Sequence, residues 1–263
     1  MKTWKLAAAS AAAGAGLCAA GLWLGANKLF NEAIRRKQTS PDGGEDAADV
    51  RLRAALRAGG RAYLDSVPHE FWRMQSFDGL SLVAEYIPAA VPTPRTLLCI
   101  HGYTSTGRRE FSPVARALRE AGYNLILPDG RAHGQSEGEY VGFGATDQRD
   151  CLAWAYEAQR RIPRCELALY GISMGAATTM MTAGEDTPEA LPACVCGIVE
   201  DCGYTSAADE FRHQVRTLAH VPPWPLLPLT NRVCRRKAGY DYREANALAA
   251  VRRIRVPVLF IHG

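Results

Sequence analysis

Residues 167–181, which read LALYGISMGAATTMM, decide the fold class of this chain. An apolar run precedes the motif GISMG at residues 171–175, and small, helix-compatible residues follow it. This order predicts a strand, a sharp turn and a helix, which is the context of a nucleophile elbow. The turn is expected to hold Ser173 in a strained backbone conformation with its hydroxyl pointing outward. Gly171 and Gly175 are needed because the strand and helix backbones crowd there.

The composition is that of a folded chain of 263 residues, of which 48% are hydrophobic. That fraction is sufficient for a buried core and excludes a disordered tail. The formal net charge of +4 is small and spread along the chain, with basic runs at residues 35–37 and 235–237. Nucleic-acid binding requires a concentrated basic face. We therefore predict no nucleic-acid partner and interpret both runs as solvated ends of segments.

The first thirty residues differ in composition from the rest of the chain. Lys2 and Lys5 precede an uncharged, alanine- and glycine-rich stretch over residues 6–27, which Lys28 closes. This stretch is long enough to cross a bilayer as a helix, although its hydropathy is marginal. We predict a single N-terminal membrane anchor within residues 1–30, on an undetermined side of the membrane. A cleaved signal segment of a secreted protein and a peripheral, non-spanning helix are the alternatives.

The remainder of the chain divides into a connecting segment and one large domain. Residues 31–70 are predicted to hold a polar linker over residues 38–46 and a short helix that ends at Gly59-Gly60. Residues 71–263 form the domain. Within it, residues 204–254 contain a segment with several prolines and Trp224, over residues 221–225, and we interpret this region as a candidate lid over the site.

The domain is predicted to be built on a mostly parallel sheet. It opens with a hairpin whose turn is Asp78-Gly79. From residue 96 onward, short apolar runs alternate with helical stretches, which indicates a parallel sheet covered on both faces. The strands in this part are predicted at residues 96–100, 124–128, 165–170, 194–200 and 256–261, and the helices at 111–121 and 145–161.

Three further motifs follow predicted strands, at the edge where open parallel sheets place their active sites. They are HGYTS at residues 101–105, DGRAHGQSEG at 129–138 and DCGYTS at 201–206. Together with the elbow, and in this order, they resemble the α/β hydrolases. The resemblance is greatest to bacterial serine hydrolases grouped with serine aminopeptidases and lysophospholipase-like esterases, and it covers roughly residues 71–263. It implies an α/β fold with a doubly wound, mostly parallel sheet, here incomplete at its C-terminal end. The N-terminal hydrophobic helix that precedes it is predicted from the composition of residues 6–27.

The resemblance also implies roles for individual residues. Ser173 is the nucleophile, and the backbone N–H groups of Tyr103 and Met174 form the oxyanion hole. Physical chemistry agrees for Met174, because it begins a helix whose first amides lack partners and whose dipole favours negative charge. His101 and Gly102, in the loop after the strand at residues 96–100, and Gly171 and Gly175, in the elbow, are assigned structural roles.

The general base and the acid are expected outside this sequence. The family places both after the strand predicted at residues 256–261, which puts them beyond Gly263. A strand at a bare apolar sheet edge is unfavourable in a complete domain. We therefore expect that this sequence is C-terminally truncated and that the natural chain continues; the alternative is that the natural protein lacks a normal triad.

Several residues within the sequence are weaker alternatives for these two roles. Asp201 follows a strand and is a possible alternative acid, although a carboxylate there also braces local backbone. His101 and His133 precede the serine and are interpreted as residues that orient loops. His213 and His220 lie in the candidate lid, without a rigid strand-end loop to hold them.

The expected function is a serine hydrolase that cleaves an ester or related acyl bond through an acyl-enzyme on Ser173. Its substrate would be a small-molecule or lipid-like acyl compound. One alternative is a non-catalytic, membrane-anchored module that binds an acyl or lipid ligand in the same pocket. Another is a peptidase of the same fold, which needs an acidic site for a substrate amine. Asp209, Glu210 and Asp241 are the candidates for such a site.

We expect neither a cofactor nor a bound metal. The chain has no dinucleotide fingerprint and no phosphate loop. Cys194 and Cys196 have a Cys-x-Cys spacing, which differs from the Cys-x-x-Cys spacing of common zinc sites, and no second pair matches them.

Overall fold

The computed structural model describes residues 2–37, 47–184, 191–217 and 220–262. The predicted linker, residues 38–46, lies outside the described residues. The strands are β1 (Glu70–Gln75), β2 (Ser81–Ile87), β3 (Arg95–Ile100), β4 (Asn124–Pro128), β5 (Glu166–Ile172), β6 (Val195–Asp201) and β7 (Val258–Ile261). The helices are α1 (Lys2–Ala33), α2 (Ala47–Asp65), α3 (Gly107–Glu120), α4 (Asp147–Arg161), α5 (Met174–Ala183), α6 (Ala207–Thr217), α7 (Pro223–Lys237) and α8 (Ala247–Val251).

The strands form one sheet in the order β1-β2-β4-β3-β5-β6-β7. β1 and β2 are an antiparallel hairpin, and β2 is also antiparallel to β4. From β4 to β7 every neighbouring pair is parallel. The predicted hairpin turn contains Gly79 with a φ of 86°, a value that favours glycine. The mostly parallel sheet that the sequence predicted is therefore confirmed.

Alternation along each strand divides the core between the two faces of the sheet. In β3, the Leu97 and Cys99 side chains pack with α3 on one face. Leu98 and Ile100 pack with α4 on the opposite face. Because helices cover both faces of the sheet, side chains on both faces of the parallel strands are mainly apolar, and these strands appear as continuous apolar runs in the sequence. This double cover confirms the doubly wound architecture.

α2 is longer than the sequence predicted. It continues through Gly59-Gly60 to Asp65, so the expectation that the glycines end the helix is wrong. A Cβ at position 60 would overlap the backbone carbonyl of Ser112 in α3. The missing side chain thus allows α2 and α3 to touch, a role that the local pattern cannot distinguish from a helix end.

α1 is a continuous helix that crosses the predicted domain boundary at residue 30. Ala26, Phe30 and Ile34 follow each other at four-residue intervals and are fully buried in a cluster that includes residues of α7. Among the described residues, no helix has both the length and the apolarity needed to cross a membrane. The predicted span over residues 6–27 is therefore not supported, because a stretch dominated by alanine and glycine presents too little apolar surface.

The candidate lid consists of α6, α7 and α8 with their connecting loops. Buried side chains of α6 and α7 form one cluster with α1 and with Met174. Since Met174 directly follows Ser173 at the end of β5, this cluster lies at the carboxyl edge of the parallel strands. That edge is where open α/β sheets bind their ligands.

β7 forms one edge of the sheet and pairs with β6. Leu259, Phe260 and Ile261 are between 41% and 58% exposed there. This is the apolar edge that the sequence led us to expect from the run at residues 256–261.

Candidate active site

Ser173 lies at the turn where the backbone leaves β5 and enters α5. Its φ of 55° and ψ of −115° fall outside the regions that non-glycine residues ordinarily occupy. The Ser173 N–H donates to the Asp201 carbonyl at 2.7 Å, and the Ser173 carbonyl accepts from the Ala177 N–H at 3.1 Å. These two bonds hold the strained turn, and Ser173 is exposed. The backbone is the sharp strand-to-helix turn that the motif at residues 171–175 predicts.

Two glycines make this turn possible by allowing backbone segments to approach closely. A Cβ at position 171 would overlap the carbonyl of Gly175 across the turn. A Cβ at position 175 would overlap the carbonyl of Ile100 at the end of β3. Gly102 faces the serine, with its hypothetical Cβ position 3.4 Å from the Ser173 Cβ. The loop after β3 is thus held directly beside Ser173.

Two backbone amides beside Ser173 lack acceptors within the described part of the chain. Met174 is the first residue of α5, so its N–H has no intrahelical partner. Tyr103 follows Gly102, and the backbone hydrogen bonds of the described residues include none donated by its N–H. Both residues line the same pocket as Ser173. An oxygen that becomes negatively charged beside Ser173 would find these two donors free.

His101 is buried, and its ring is fully used in holding two loops. Its Nε2 accepts from the Gly130 N–H at 2.8 Å, and its Nδ1 lies 2.7 Å from the Gly102 carbonyl oxygen. Since Nε2 accepts, Nδ1 carries the proton and donates it to that carbonyl. Burial lowers the pKa of His101 to about 4, so the ring is neutral near neutral pH.

His133 repeats this arrangement beside it. Its Nε2 accepts from the Thr104 N–H at 3.3 Å, and its Nδ1 lies 2.9 Å from the Arg131 carbonyl oxygen. Burial, and secondarily the neighbouring His101, lower the pKa of His133 to about 4. Neither ring has a nitrogen available for Ser173. The pair joins the loops after β3 and β4 on the side of the site.

The Asp201 carboxylate accepts a hydrogen bond from the Tyr170 hydroxyl at 3.4 Å. Its backbone carbonyl is the acceptor for the Ser173 N–H. Neither contact involves a histidine, so Asp201 braces the elbow in this structure. His213 and His220 are exposed and do not line the pocket of Ser173. Of the described histidines, His262 is the one that lines it, a position that the sequence reasoning overlooked.

The pocket that contains Ser173 has a volume of about 670 Å³ and mainly apolar walls. α6 provides one wall, and α1 together with the loop after β3 provides another. Its apolar and aromatic lining residues are Leu29, Ala33, Tyr103, Phe143, Met174, Tyr204, Phe211 and Val215. Its polar lining residues other than Ser173 are Glu32, Lys37, Cys202, Glu210, Gln214 and His262.

α1 is attached to this site by a direct hydrogen bond. The Tyr103 hydroxyl donates to the Ala33 carbonyl at 2.7 Å, and Leu29 lines the pocket one turn earlier. This wall was not predicted from the sequence, because the composition of residues 6–27 favoured a membrane anchor. The signal was present in Ala26, Phe30 and Ile34, since apolar residues at four-residue spacing indicate a helix face that packs against a core.

A family model described as the alpha/beta hydrolase fold matches residues 95–224 of the chain. The esterase Pf2001 of Pyrococcus furiosus aligns with a TM-score of 0.59 at 21% identity, over 87% of this chain and 76% of the esterase. An alpha-beta hydrolase from Vibrio vulnificus aligns with a TM-score of 0.56 at 14% identity, over 87% and 81% of the two chains. These matches show that the chain has the α/β-hydrolase fold.

One curated relative is the uncharacterized protein YqkD of Bacillus subtilis (strain 168). It is 27% identical over 202 residues, which are 72% of this chain and 65% of YqkD. The chain thus spans slightly less than two thirds of this relative. At such identities the solved structures establish the fold, and many reactions share it, so the reaction must be argued from the site.

The neutral, buried histidines predict a stability that falls on acidification. The pKa of His101 and of His133 is about 4 in the folded chain, against an ordinary value of 6.5. Between these values the unfolded chain binds more protons, so the free energy of unfolding decreases as the pH falls through this window. Each ring contributes up to about 1.4 kcal/mol per pH unit. Urea unfolding at about pH 7 and about pH 5 measures the change.

The His133→Gln variant isolates this effect from the titration of carboxylates. The variant lacks one of the two titrating rings, so the histidine contribution to the pH dependence of its free energy of unfolding should be about half that of wild type. The carboxylate contribution is the same in both proteins and is subtracted by the comparison. Exposed His69 provides the matched variant, His69→Gln, which should keep the wild-type dependence. An unchanged pH dependence in His133→Gln would contradict the assignment.

Proposed function

We propose that the protein is a serine hydrolase that cleaves an ester of an apolar acyl group through an acyl-enzyme on Ser173. One observation carries the proposal. Ser173 is held in a strained turn at an apolar pocket, beside two backbone amides without acceptors. A strained, exposed serine with two free donors is the arrangement that acyl transfer requires.

In the proposed reaction, the Ser173 Oγ attacks the ester carbonyl carbon while a general base takes its proton. The carbonyl oxygen becomes an oxyanion and accepts hydrogen bonds from the Tyr103 and Met174 amides. Each such donor lowers the barrier by about 3 kcal/mol. Collapse of the intermediate expels the alcohol, which takes up the proton, and leaves the acyl group on Ser173. Water then repeats the sequence and releases the carboxylic acid.

The general base and its acid are assigned, as the family resemblance implies, to a histidine and a carboxylate beyond Gly263. This assignment is consistent with the described residues, where His101 and His133 are committed to backbone groups. His262 lines the pocket, but among the described residues no carboxylate forms a hydrogen bond with its ring that would orient it as a base.

The pocket favours an ester with an apolar acyl chain over a peptide. Of the three acids considered for binding a substrate amine, Asp209 pairs with Arg212 and Asp241 pairs with Arg243. Glu210 does line the pocket, but it accepts a hydrogen bond from Gln214 at 2.7 Å. The remaining wall is largely aliphatic and aromatic and suits an acyl chain.

A fluorophosphonate probe tests the proposal, because it forms a covalent adduct only with an activated serine. We expect the natural protein to gain one adduct, which peptide mass spectrometry places on Ser173. The exposed Ser66 is an internal control and should stay unmodified. An adduct elsewhere, or none, would refute the nucleophile. Retained binding of a fatty acid without any adduct would favour the non-catalytic acyl-binding module instead.

A further inference from the structure

A second cavity, of about 700 Å³, lies between α6, α7 and the loop that follows α7. It shares no lining residue with the pocket of Ser173. α6 separates the two, since Ala208 and Arg212 face this cavity whereas Phe211 and Val215 face the other. Half of its lining residues are arginines, namely Arg212, Arg232, Arg235, Arg236 and Arg243. We call this cavity the arginine cleft.

Within the described part of the chain, three of these arginines pair with no carboxylate. Arg212 pairs with Asp209, and Arg243 pairs with Asp241 at 2.6 Å. Among the described residues, no ion pair involves Arg232, Arg235 or Arg236. The cleft therefore concentrates positive charge that the carboxylates of the described residues balance only in part.

The spacing on α7 makes this concentration unfavourable in the absence of an anion. Arg235 and Arg236 follow Arg232 by three and four residues, so each lies on the same side of the helix as Arg232, and like charges at this spacing repel. Arg235 and Arg236 lie in the last turn, where the helix dipole favours cations. Arg232 lies a turn earlier and gains little from the dipole. A bound anion would compensate the repulsion among all three.

The floor of the cleft is fixed by hydrogen bonds that are buried or partly buried. The Asn231 side chain donates to the Asp241 carboxylate at 2.8 Å and accepts from the Tyr242 N–H at 3.3 Å. Asp241 in turn accepts from the Arg243 guanidinium at 2.6 Å. The Tyr242 hydroxyl donates to the Leu227 carbonyl at 2.6 Å. The backbone beneath the arginines is thereby held in one arrangement before any ligand arrives.

We propose that the arginine cleft binds a phosphate group, carried either by a soluble organic phosphate or by a phospholipid headgroup. The guanidinium fork matches the oxygens of a phosphate with two parallel hydrogen bonds. Its charge is permanent, so binding does not depend on protonation of the protein near neutral pH. From sequence, residues 235–237 were predicted to be a solvated end of a segment. The fold instead places Arg235 and Arg236 in one cleft with Arg212 and Arg243.

Calorimetric titration of the full chain with inorganic phosphate and with glycerol 3-phosphate tests the site. We expect binding that weakens as salt is added. The Arg232→Gln/Arg236→Gln variant should lose about 100-fold in affinity, or about tenfold for each charge-assisted contact removed. The Arg252→Gln/Arg255→Gln variant removes the same charge from exposed positions outside the cleft and should stay within about threefold of wild type.

Vesicle sedimentation distinguishes the two sources of phosphate. Binding to phosphatidylcholine vesicles that contain phosphatidic acid, lost in Arg232→Gln/Arg236→Gln, would assign the cleft to a headgroup. Binding of glycerol 3-phosphate without binding to such vesicles would assign it to a soluble organic phosphate. The proposal is wrong if neither ligand binds the wild-type chain, or if both double variants lose affinity equally. Circular dichroism confirms that each variant is folded.

Discussion

Replacing Ser173 with alanine is expected to lower ester turnover by the natural protein about 10⁴- to 10⁶-fold. The substitution removes the oxygen that forms the acyl-enzyme but leaves the two free amides and the apolar pocket in place. Residual turnover would come from those groups acting on water. The initial rates of hydrolysis of a p-nitrophenyl ester, compared at equal protein concentration, measure the loss.

Gln214→Ala is the matched control for this substitution. Gln214 lines the same pocket and is exposed, but it has no role in the proposed reaction. Ester turnover by the Gln214→Ala variant should stay within about threefold of wild type, as expected for a surface change that leaves the reacting groups intact. If Ser173→Ala kept more than about a tenth of the wild-type rate, the assignment of the nucleophile would be wrong.

Replacing Phe30 with alanine is expected to lower the free energy of unfolding by about 3–5 kcal/mol. Phe30 is fully buried, with its ring 5.4 Å from that of Tyr140, and it packs in the cluster that joins α1 to α7. Truncation leaves a cavity that the surrounding side chains fill only in part. Urea denaturation followed by circular dichroism gives the difference.

Phe71→Ala is the control, because the same side chain is about half exposed on β1. Phe71→Ala should lower the free energy of unfolding by less than about 1 kcal/mol, since the substitution returns little buried apolar area to water. Equal, small effects of the two substitutions would mean that α1 does not pack on the domain in solution. A large effect of Phe30→Ala alone would establish that α1 belongs to the folded body that carries the site.

Local patterns predicted the parts of this protein whose conformation depends on neighbouring residues. The turn at Ser173 follows from the glycines at 171 and 175, because a side chain at either position would overlap a nearby backbone carbonyl. The parallel strands follow from apolar runs such as residues 124–128, which are buried on both faces. The hairpin follows from Asp78-Gly79, where Gly79 adopts a positive φ.

Local patterns failed where a residue's role depends on a distant segment. Gly60 resembles a helix end, but it is the point where α2 touches Ser112 in α3. Residues 6–27 resemble an anchor by composition, but Ala26 near the end of that stretch packs in the core together with Phe30 and Ile34. Glu210 could not be distinguished from Asp209 by sequence, although only Glu210 of the two lines the pocket of Ser173.

The sequence by itself therefore determined the sheet, the elbow and the candidate nucleophile, because short-range steric limits and strand periodicity specify them. Only the tertiary structure decided the walls of the acyl pocket and the existence of the arginine cleft. The bond between Tyr103 and Ala33 joins residues 70 positions apart, and the cleft brings Arg212 to the arginines of α7. Such contacts form when helices bury their apolar faces together, and that packing depends on the whole fold rather than on any one segment.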